Sequence, residues 1–302
     1  MPPTATPPDH TIERLRKRLS KLPAQTSLTL AQLRDQYDLA QFAFPVGDTV
    51  KVEAVATGAA RGEWLTPKGV GGAVLLYLHG GGYVIGSPRS HRHLAAGIAS
   101  AAGMRAFSLA YRLAPEHPYP AALDDAVAAY RWLLQSARVP AQRIVIGGDS
   151  AGGGLTLATL VALREAGDPL PAAAVCLSPW VDLSYSLPSC DPRRGPDPVI
   201  DHQVIRAMAR AYMGRRSLRN PRASPLFADL RGLPPLLVQA GGDEALLDDA
   251  RAIAIAASKA GVHTTLETWP RMIHVWQWYA PVLGEGRAAI ERIAEFTRTA
   301  LA

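Results

Sequence analysis

A serine lies within a run of small residues where a strand is predicted to turn into a helix. The β-branched run of residues 144–146 is typical of a buried strand, and residues 151–163 form an apolar stretch typical of a helix. Between them, Gly148-Asp-Ser-Ala-Gly152 matches the pattern G-x-S-x-G, which predicts that Ser150 is a nucleophile for acyl transfer. The two glycines allow strand and helix to pass closely on either side of a sharp turn. A plain turn built from small residues is the alternative interpretation.

A second glycine-rich segment, His79-Gly-Gly-Gly82, directly follows a predicted apolar strand at residues 73–78. Three consecutive glycines cost much backbone entropy to order, so the run indicates a place where backbone N–H groups must approach a reacting atom closely. This pattern is the oxyanion loop of esterases and lipases. A phosphate-binding loop is the rival interpretation, but the lysine and the Ser/Thr of that motif are missing.

A serine hydroxyl is a weak nucleophile near neutral pH and needs a histidine base that is oriented by a carboxylate. In one order that supports this chemistry, the serine comes first, then the acid, then the histidine. Five of the eight histidines precede Ser150, His202 precedes the candidate acids, and His263 falls within a predicted strand. His274, in a loop after the last predicted strand, is therefore the predicted base, and a surface histidine is the alternative.

Two neighbouring carboxylates, Asp243 and Glu244, follow the strand predicted at residues 234–240. Adjacent side chains in an extended loop point in opposite directions, so we expect one of the two to face His274. Composition does not choose between them.

Strands and helices alternate from residue 73 onwards, which predicts a mostly parallel sheet with right-handed crossovers. Ligands bind at the carboxyl ends of such strands, and both glycine-rich segments fall there. Residues 182–219 are polar and rich in Pro and Arg, so we interpret them as an insertion over this face. Two amphipathic helices are predicted within residues 1–45, where they form either a lid or ordinary surface packing.

Composition and charge limit the classes of protein to which the chain can belong. A chain of 302 residues with 48% apolar residues can fill one large α/β domain or two small ones. Without an apolar run of 18 residues or a secretory leader pattern, we expect no membrane span and a cytoplasmic location. Despite the net charge of +6, the densest basic cluster, Arg14–Arg18, is interpreted as a solvated helix face, so no nucleic-acid binding is expected. Cys176 and Cys190 lack metal-type spacing.

Several motifs together resemble the hormone-sensitive lipase family of esterases, over a match that runs from about residue 73 to the C-terminal helix. The family belongs to the α/β-hydrolase superfamily, and it includes bacterial carboxylesterases. The motifs that carry the resemblance are His79–Gly82, Tyr111–Pro120, Gly148–Gly153 and the late His274.

The resemblance implies one α/β-hydrolase domain over residues 1–302, with an eight-stranded, mostly parallel sheet flanked by helices. It further implies a helical cap formed by residues 1–45 and 182–219. Dimers are common in the family, and no cofactor or metal is expected.

The resemblance also bears on the site residues. The family's acid commonly stands in D-P-L-x-D, and Glu244-Ala-Leu-Leu-Asp248 matches this register without a gap, which makes Glu244 the implied acid; Asp243 would require a shift of one residue. The catalytic residues implied are Ser150, Glu244 and His274, and the implied oxyanion hole consists of the backbone N–H groups of Gly81, Gly82 and Ala151.

The expected function is that of a serine carboxylesterase that hydrolyses short- to medium-chain acyl esters through an acyl-enzyme. A lactone hydrolase or an amide deacetylase would use the same triad. A non-catalytic small-molecule binding protein is the alternative from another class, because the plant gibberellin receptors resemble this family but have lost the catalytic histidine. The presence of His274 favours the enzyme.

Overall fold

The fold is described here from a computed structural model, which covers residues 10–22, 27–58, 60–191 and 197–302. The predicted cap segments therefore lie partly outside the described residues, namely at residues 1–9, 23–26 and 192–196.

One eight-stranded sheet organises the chain, in the order β1-β2-β4-β3-β5-β6-β7-β8. The first two strands form a hairpin, β2 pairs antiparallel with β4, and the strands from β4 through β8 pair in parallel. The strands are β1 (Val50–Ala56), β2 (Arg61–Pro67), β3 (Val74–Leu78), β4 (Arg105–Leu109), β5 (Ile144–Asp149), β6 (Ala173–Leu177), β7 (Leu236–Gly241) and β8 (Thr264–Trp269).

Helices cover both faces of the sheet, as the continuous apolar strands require. The described helices are α1 (His10–Leu19), α2 (Leu30–Asp38), α3 (Ala40–Ala43), α4 (Pro88–Ala102), α5 (Ala121–Gln135), α6 (Ala151–Ala166), α7 (His202–Met213), α8 (Leu247–Lys259) and α9 (Gly284–Leu301). The predicted eight-stranded, mostly parallel sheet flanked by helices is confirmed.

Alternating side chains of β3 divide the core into two layers. Leu76 and Leu78 pack in the cluster that contains α5, α6 and α8, whereas Leu75 and Tyr77 pack in the cluster that contains α4 and α9. This is the period of two that places successive strand residues on opposite faces. With both faces covered, the open positions lie at the carboxyl edge of the sheet, where the loops after β3, β5, β6 and β7 meet.

Some element boundaries differ from the sequence-based predictions. The apolar spacing that starts at Ile12 continues to Leu22 in the sequence, but α1 ends at Leu19. His263 was predicted inside the last strand but lies just before it, because β8 begins at Thr264. Helix ends fray and tertiary contacts extend or shorten them, so such shifts of a few residues are expected.

Candidate active site

Ser150 occupies a strained turn between β5 and α6. Its backbone angles, φ 54° and ψ −120°, are rare for a residue with a side chain. The turn is held because the Ser150 N–H donates to the Leu177 carbonyl (2.8 Å) and the Ser150 carbonyl accepts from the Trp180 N–H (2.9 Å). The strain is therefore fixed by β6 and by the loop that follows it.

The glycines on either side of Ser150 leave no room for a side chain. A Cβ atom at Gly148 would lie 2.3 Å from the Leu78 carbonyl oxygen, and one at Gly152 would lie 1.9 Å from the same atom. Both distances are far below van der Waals contact. The end of β3 can therefore pass directly beneath the turn, which brings the two glycine-rich segments together.

The loop after β3 is fixed by a buried carboxylate, Asp149. One Asp149 oxygen accepts the Gly80 N–H (3.1 Å) and the Tyr77 hydroxyl (2.6 Å), and the other lies 3.3 Å from His91 Nε2. A Cβ atom at Gly80 would lie 2.2 Å from that second oxygen. The residue before Ser150 thus holds the start of the triple-glycine segment in place.

Gly81 and Gly82 continue this segment with φ values of 109° and 61°, which favour glycine. Ala151 is the first residue of α6, and the first N–H groups of a helix have no acceptor within the helix itself. The three positions of the predicted oxyanion hole therefore lie on the segments that flank Ser150. A Cβ atom at Gly82 would lie 2.3 Å from Met208 Sδ on α7, so this helix closes over the glycines.

His274 and Glu244 are both buried and face each other. The distance from His274 Nδ1 to Glu244 Oε2 is 3.7 Å, which is ion-pair range and longer than a hydrogen bond. Glu244 Oε2 also accepts the Ser178 hydroxyl (2.7 Å) and the Gly241 N–H (3.1 Å). The Val275 N–H in turn donates to Ser178 Oγ (3.1 Å), so Ser178 links the acid loop to the residue after His274.

Burial and mutual attraction act in opposite directions on the His274–Glu244 pair. Burial lowers the pKa of the His274 imidazole, but the Glu244 carboxylate more than offsets this, and the net pKa lies above the ordinary histidine value. Burial raises the pKa of Glu244, although His274 and Ser178 partly counteract it. By contrast, burial lowers the pKa of His79 to about 3, which keeps that ring neutral.

Asp243, the competing acid, points to the other side of its loop. Its carboxylate accepts a hydrogen bond of 2.6 Å from the Arg16 guanidinium on α1, and its side chain is 49% exposed. The two neighbouring side chains therefore point in opposite directions, as predicted, and Glu244 is the one that faces His274.

A cavity of about 1590 Å³ opens above these residues. Ser150 and His274 both line it, as do Gly81, Gly82 and Asp149. Its walls come from α1, α2 and α7 and from the segment that precedes α7, with Leu33, Tyr37 and Met208 among the lining residues. A cavity of this size, lined by both apolar and polar side chains, suits a small organic molecule.

The interpretation of residues 14–18 as a solvated face is wrong for Arg16. Arg16 lines the cavity, is bonded to Asp243, and donates a second hydrogen bond of 2.8 Å to the Arg271 carbonyl. The reason is the orientation of α1, which turns Ile12 and Arg16, on one helical face, towards the body of the protein. Arg14, Lys17 and Arg18 are exposed, as predicted.

Two site residues were missed by the sequence reasoning. Asp149 is the second residue of the quoted pentapeptide, and its position beside Ser150 was the available signal. Ser178 follows β6 and carries no sequence signal, because its role depends on contacts with residues 66 and 97 positions away. Within the described chain, no group of three or more His, Cys, Asp or Glu side chains is arranged to hold a metal ion.

Comparison with known proteins identifies the class. Residues 75–278 match the sequence profile of a family described as having the alpha/beta hydrolase fold. An acetyl-hydrolase of Streptomyces hygroscopicus is 52% identical over 272 residues, which cover 88% of this chain and 89% of the relative. An esterase of Acinetobacter venetianus is 33% identical over 285 residues, which cover 94% of each chain. The protein is thus an α/β hydrolase.

The solved structures narrow the class further. An esterase from the bacterial hormone-sensitive lipase family superposes with a TM-score of 0.91 at 47% identity and covers 97% of this chain and 98% of that one. An esterase/lipase from an uncultured bacterium has a TM-score of 0.91 at 44% identity, covering 98% and 99%. The chain belongs to the bacterial hormone-sensitive lipase family, and it is a carboxylic ester hydrolase. Across the part of the chain that the structure describes, no helix is long and apolar enough to cross a membrane.

Proposed function

We propose that the protein hydrolyses short- to medium-chain acyl esters through an acyl-enzyme, with Ser150 as nucleophile, His274 as base and Glu244 as acid. The observation that carries this proposal is the cavity that Ser150 and His274 line together, with Glu244 buried behind the imidazole. The triple-glycine segment, which lines the cavity beside Ser150, supports the same chemistry.

In this mechanism the Ser150 oxygen attacks the ester carbonyl carbon while His274 takes the hydroxyl proton. Negative charge develops on the carbonyl oxygen, and the N–H groups of Gly81, Gly82 and Ala151 stabilise it; loss of one such donor typically costs a factor of about 100 to 1,000 in rate. His274 then gives the proton to the leaving alcohol. Water attacks the acyl-enzyme by the same steps and releases the carboxylic acid and the free serine.

We propose further that α1, α2 and the 182–219 insertion serve as a cap that bounds the substrate. Support comes from the described parts of these segments, which line the cavity opposite Ser150. The name of the relative from Streptomyces hygroscopicus favours acetyl groups among the acyl groups accepted. The homodimer and the cytoplasmic location stay predictions.

The test is the hydrolysis of p-nitrophenyl esters from acetate to dodecanoate by the wild-type protein and by Ser150→Ala. We expect turnover that is fastest with the shorter chains, and a loss of roughly 10⁴-fold or more in Ser150→Ala with an unchanged melting temperature. A fluorophosphonate probe should label Ser150 covalently. Faster turnover of lactones or acetanilides would assign one of the alternative hydrolase reactions, and a folded wild-type protein that turns over none of them would refute the proposal.

A further inference from the structure

The cavity wall that leads into α7 is attached to the loop of Glu244 through one carboxylate, Asp197. Asp197 Oδ1 accepts the N–H groups of Val199 (2.7 Å) and Ile200 (2.9 Å), which shapes the start of this wall. Asp197 Oδ2 accepts the N–H of Ala245 at 2.8 Å. Asp197 and the residues after it line the same cavity as Ser150 and His274. One side chain therefore joins the wall to the residue next to the acid.

The other side of Ala245 is held by the same insertion. Its carbonyl accepts the Ser189 hydroxyl at 2.8 Å and lies 3.4 Å from Cys190 Sγ, both within the 182–219 insertion. Ser189 Oγ also accepts the Asp248 N–H at 2.9 Å, at the start of α8. The backbone immediately after Glu244 is thus held on both sides by residues of the 182–219 insertion, of which Asp197 also lines the cavity.

The hydrogen bond from Ala245 requires a residue with a backbone N–H at this position. In the register D-P-L-x-D that the resemblance implies, Ala245 stands in the place of the proline. Proline has no backbone N–H and could not donate to Asp197. The alanine therefore adds a donor at this position, and the acceptor that it meets is a carboxylate, which makes the hydrogen bond stronger than a neutral one.

We propose that Asp197 is a positioning residue, which acts through the Ala245 N–H to fix Glu244 against His274 and so couples the cavity wall to the catalytic acid. The proposal rests on the proposed function, because it requires Glu244 to orient the base. Glu244 has few ways to correct a displacement, since its carboxylate is held 3.7 Å from His274 Nδ1 by contacts with Ser178 and Gly241. A small shift of a catalytic group is enough to slow the reaction.

The charge of Asp197 contributes separately from its hydrogen bond. Burial lowers the pKa of His274, and three nearby carboxylates raise this pKa: Glu244 most strongly, then Asp197 and Asp149. Asp197 also raises the pKa of Glu244, after the larger effect of burial. Removal of the Asp197 charge should therefore lower the pKa of His274 directly, whereas removal of the Ala245 N–H with Asp197 intact should lower this pKa only through the displacement of Glu244.

Two variants distinguish these contributions. Ala245→Pro restores the common family residue and removes the N–H but keeps the charge, whereas Asp197→Asn removes the charge and weakens the acceptor. With p-nitrophenyl butyrate we expect each variant to lower kcat by roughly tenfold with KM nearly unchanged. The double variant should match the more impaired single variant, because both changes break the same contact. The acid limb of the kcat/KM profile should move to lower pH in both variants, and further in Asp197→Asn, which loses a charge as well as the contact.

The matched control is Asp229→Asn, since Asp229 also accepts a nearby backbone N–H, from Arg231 at 3.0 Å, but lies outside the cavity lining. It should retain wild-type kcat. An unchanged kcat in folded Asp197→Asn, additive losses in the double variant, or a loss confined to KM would overturn the proposal. If the wild type hydrolyses esters and Ser150→Ala does not, such a result counts against Asp197 alone; an inactive wild type instead refutes the proposed function.

Discussion

At the residue scale, Ser178 connects the two candidate triad residues that follow Ser150 in the chain, Glu244 and His274. Its hydroxyl donates to Glu244 and accepts the Val275 N–H, so the acid and the loop of the base are fixed relative to each other. Because this hydroxyl is buried and its donor and acceptor capacities are both used, its orientation is determined. These hydrogen bonds fix the orientation of the Glu244 carboxylate, whereas the Asp243 carboxylate forms an ion pair with Arg16.

The two acidic neighbours can be separated by isosteric amides. Glu244→Gln should lower kcat by roughly a thousandfold or more, because the imidazolium formed during attack loses its counter-charge. The acid limb of the pH–rate profile should move to lower pH, since Glu244 raises the pKa of His274 against the lowering effect of burial. Asp243→Asn is the matched control and should stay within a few-fold of wild type. The reverse ranking of the two variants would exclude Glu244 as the acid.

At the element scale, Arg34 attaches α2 to the body of the protein. Arg34 donates to the carbonyls of Val84 (2.9 Å) and Ala114 (3.0 Å), and it forms a two-pronged ion pair with Glu116 (2.8 Å to each oxygen). Val84 lies just after the triple-glycine segment, so the helix that carries Leu33 and Tyr37 over the cavity is joined to the loop beside Ser150. The carbonyl bonds, which are partly buried, matter more than the exposed ion pair.

Replacement of Arg34 tests whether α2 depends on this attachment. Arg34→Met should make the chain between residues 27 and 43 roughly tenfold more susceptible to limited proteolysis, because the loss of two carbonyl hydrogen bonds favours local opening. KM should rise while kcat changes little. Arg34→Lys should restore the resistance in part, since lysine keeps the charge but lacks the planar fork. Arg222→Met, which breaks an exposed pair with Glu165, is the control and should leave both properties unchanged.

At the scale of the whole molecule, the start of the 182–219 insertion is joined to α8 through a buried carboxyl, Asp249. It lies in the first turn of α8 with no exposed surface, and its Oδ1 accepts the N–H groups of Val181 and Asp182 at 3.0 Å each. Burial raises its pKa to about 8, although the two backbone donors oppose this. The junction of β6 and the 182–219 insertion with α8 therefore contains a group that folding keeps protonated.

The pH dependence of stability follows from this raised pKa. Between about pH 4, the ordinary carboxyl value, and about pH 8 the folded protein holds a proton at Asp249 that the unfolded chain has lost, so this group lowers the free energy of unfolding as the pH rises. Asp249→Asn keeps an acceptor at Oδ1 but does not ionise. Its melting temperature relative to wild type should therefore increase steadily from pH 5 to pH 8 and then level off. A difference in melting temperature between Asp249→Asn and wild type that stays constant from pH 5 to pH 8 would contradict the raised pKa of Asp249.

Much of the fold and the main positions of the candidate site could be predicted from the sequence, because they rest on local constraints. A serine on a strained turn needs small residues two positions to either side, and the approach of backbone N–H groups needs a run of glycine; both leave readable patterns at residues 148–152 and 79–82. Alternating apolar strands and helices likewise predicted the parallel sheet. The order of serine, acid and histidine selected His274 from eight histidines.

Tertiary structure decided what depends on contacts between distant parts of the chain. The direction of Glu244 towards His274, the link through Ser178, the inward turn of Arg16 and the clamp on Ala245 all join residues from elements that meet only when the sheet has formed. No local pattern encodes such contacts, because a side chain's orientation is set by the packing around it. The sequence by itself determined which residue types stand at the carboxyl edge of the sheet, and the fold decided which of them face one another.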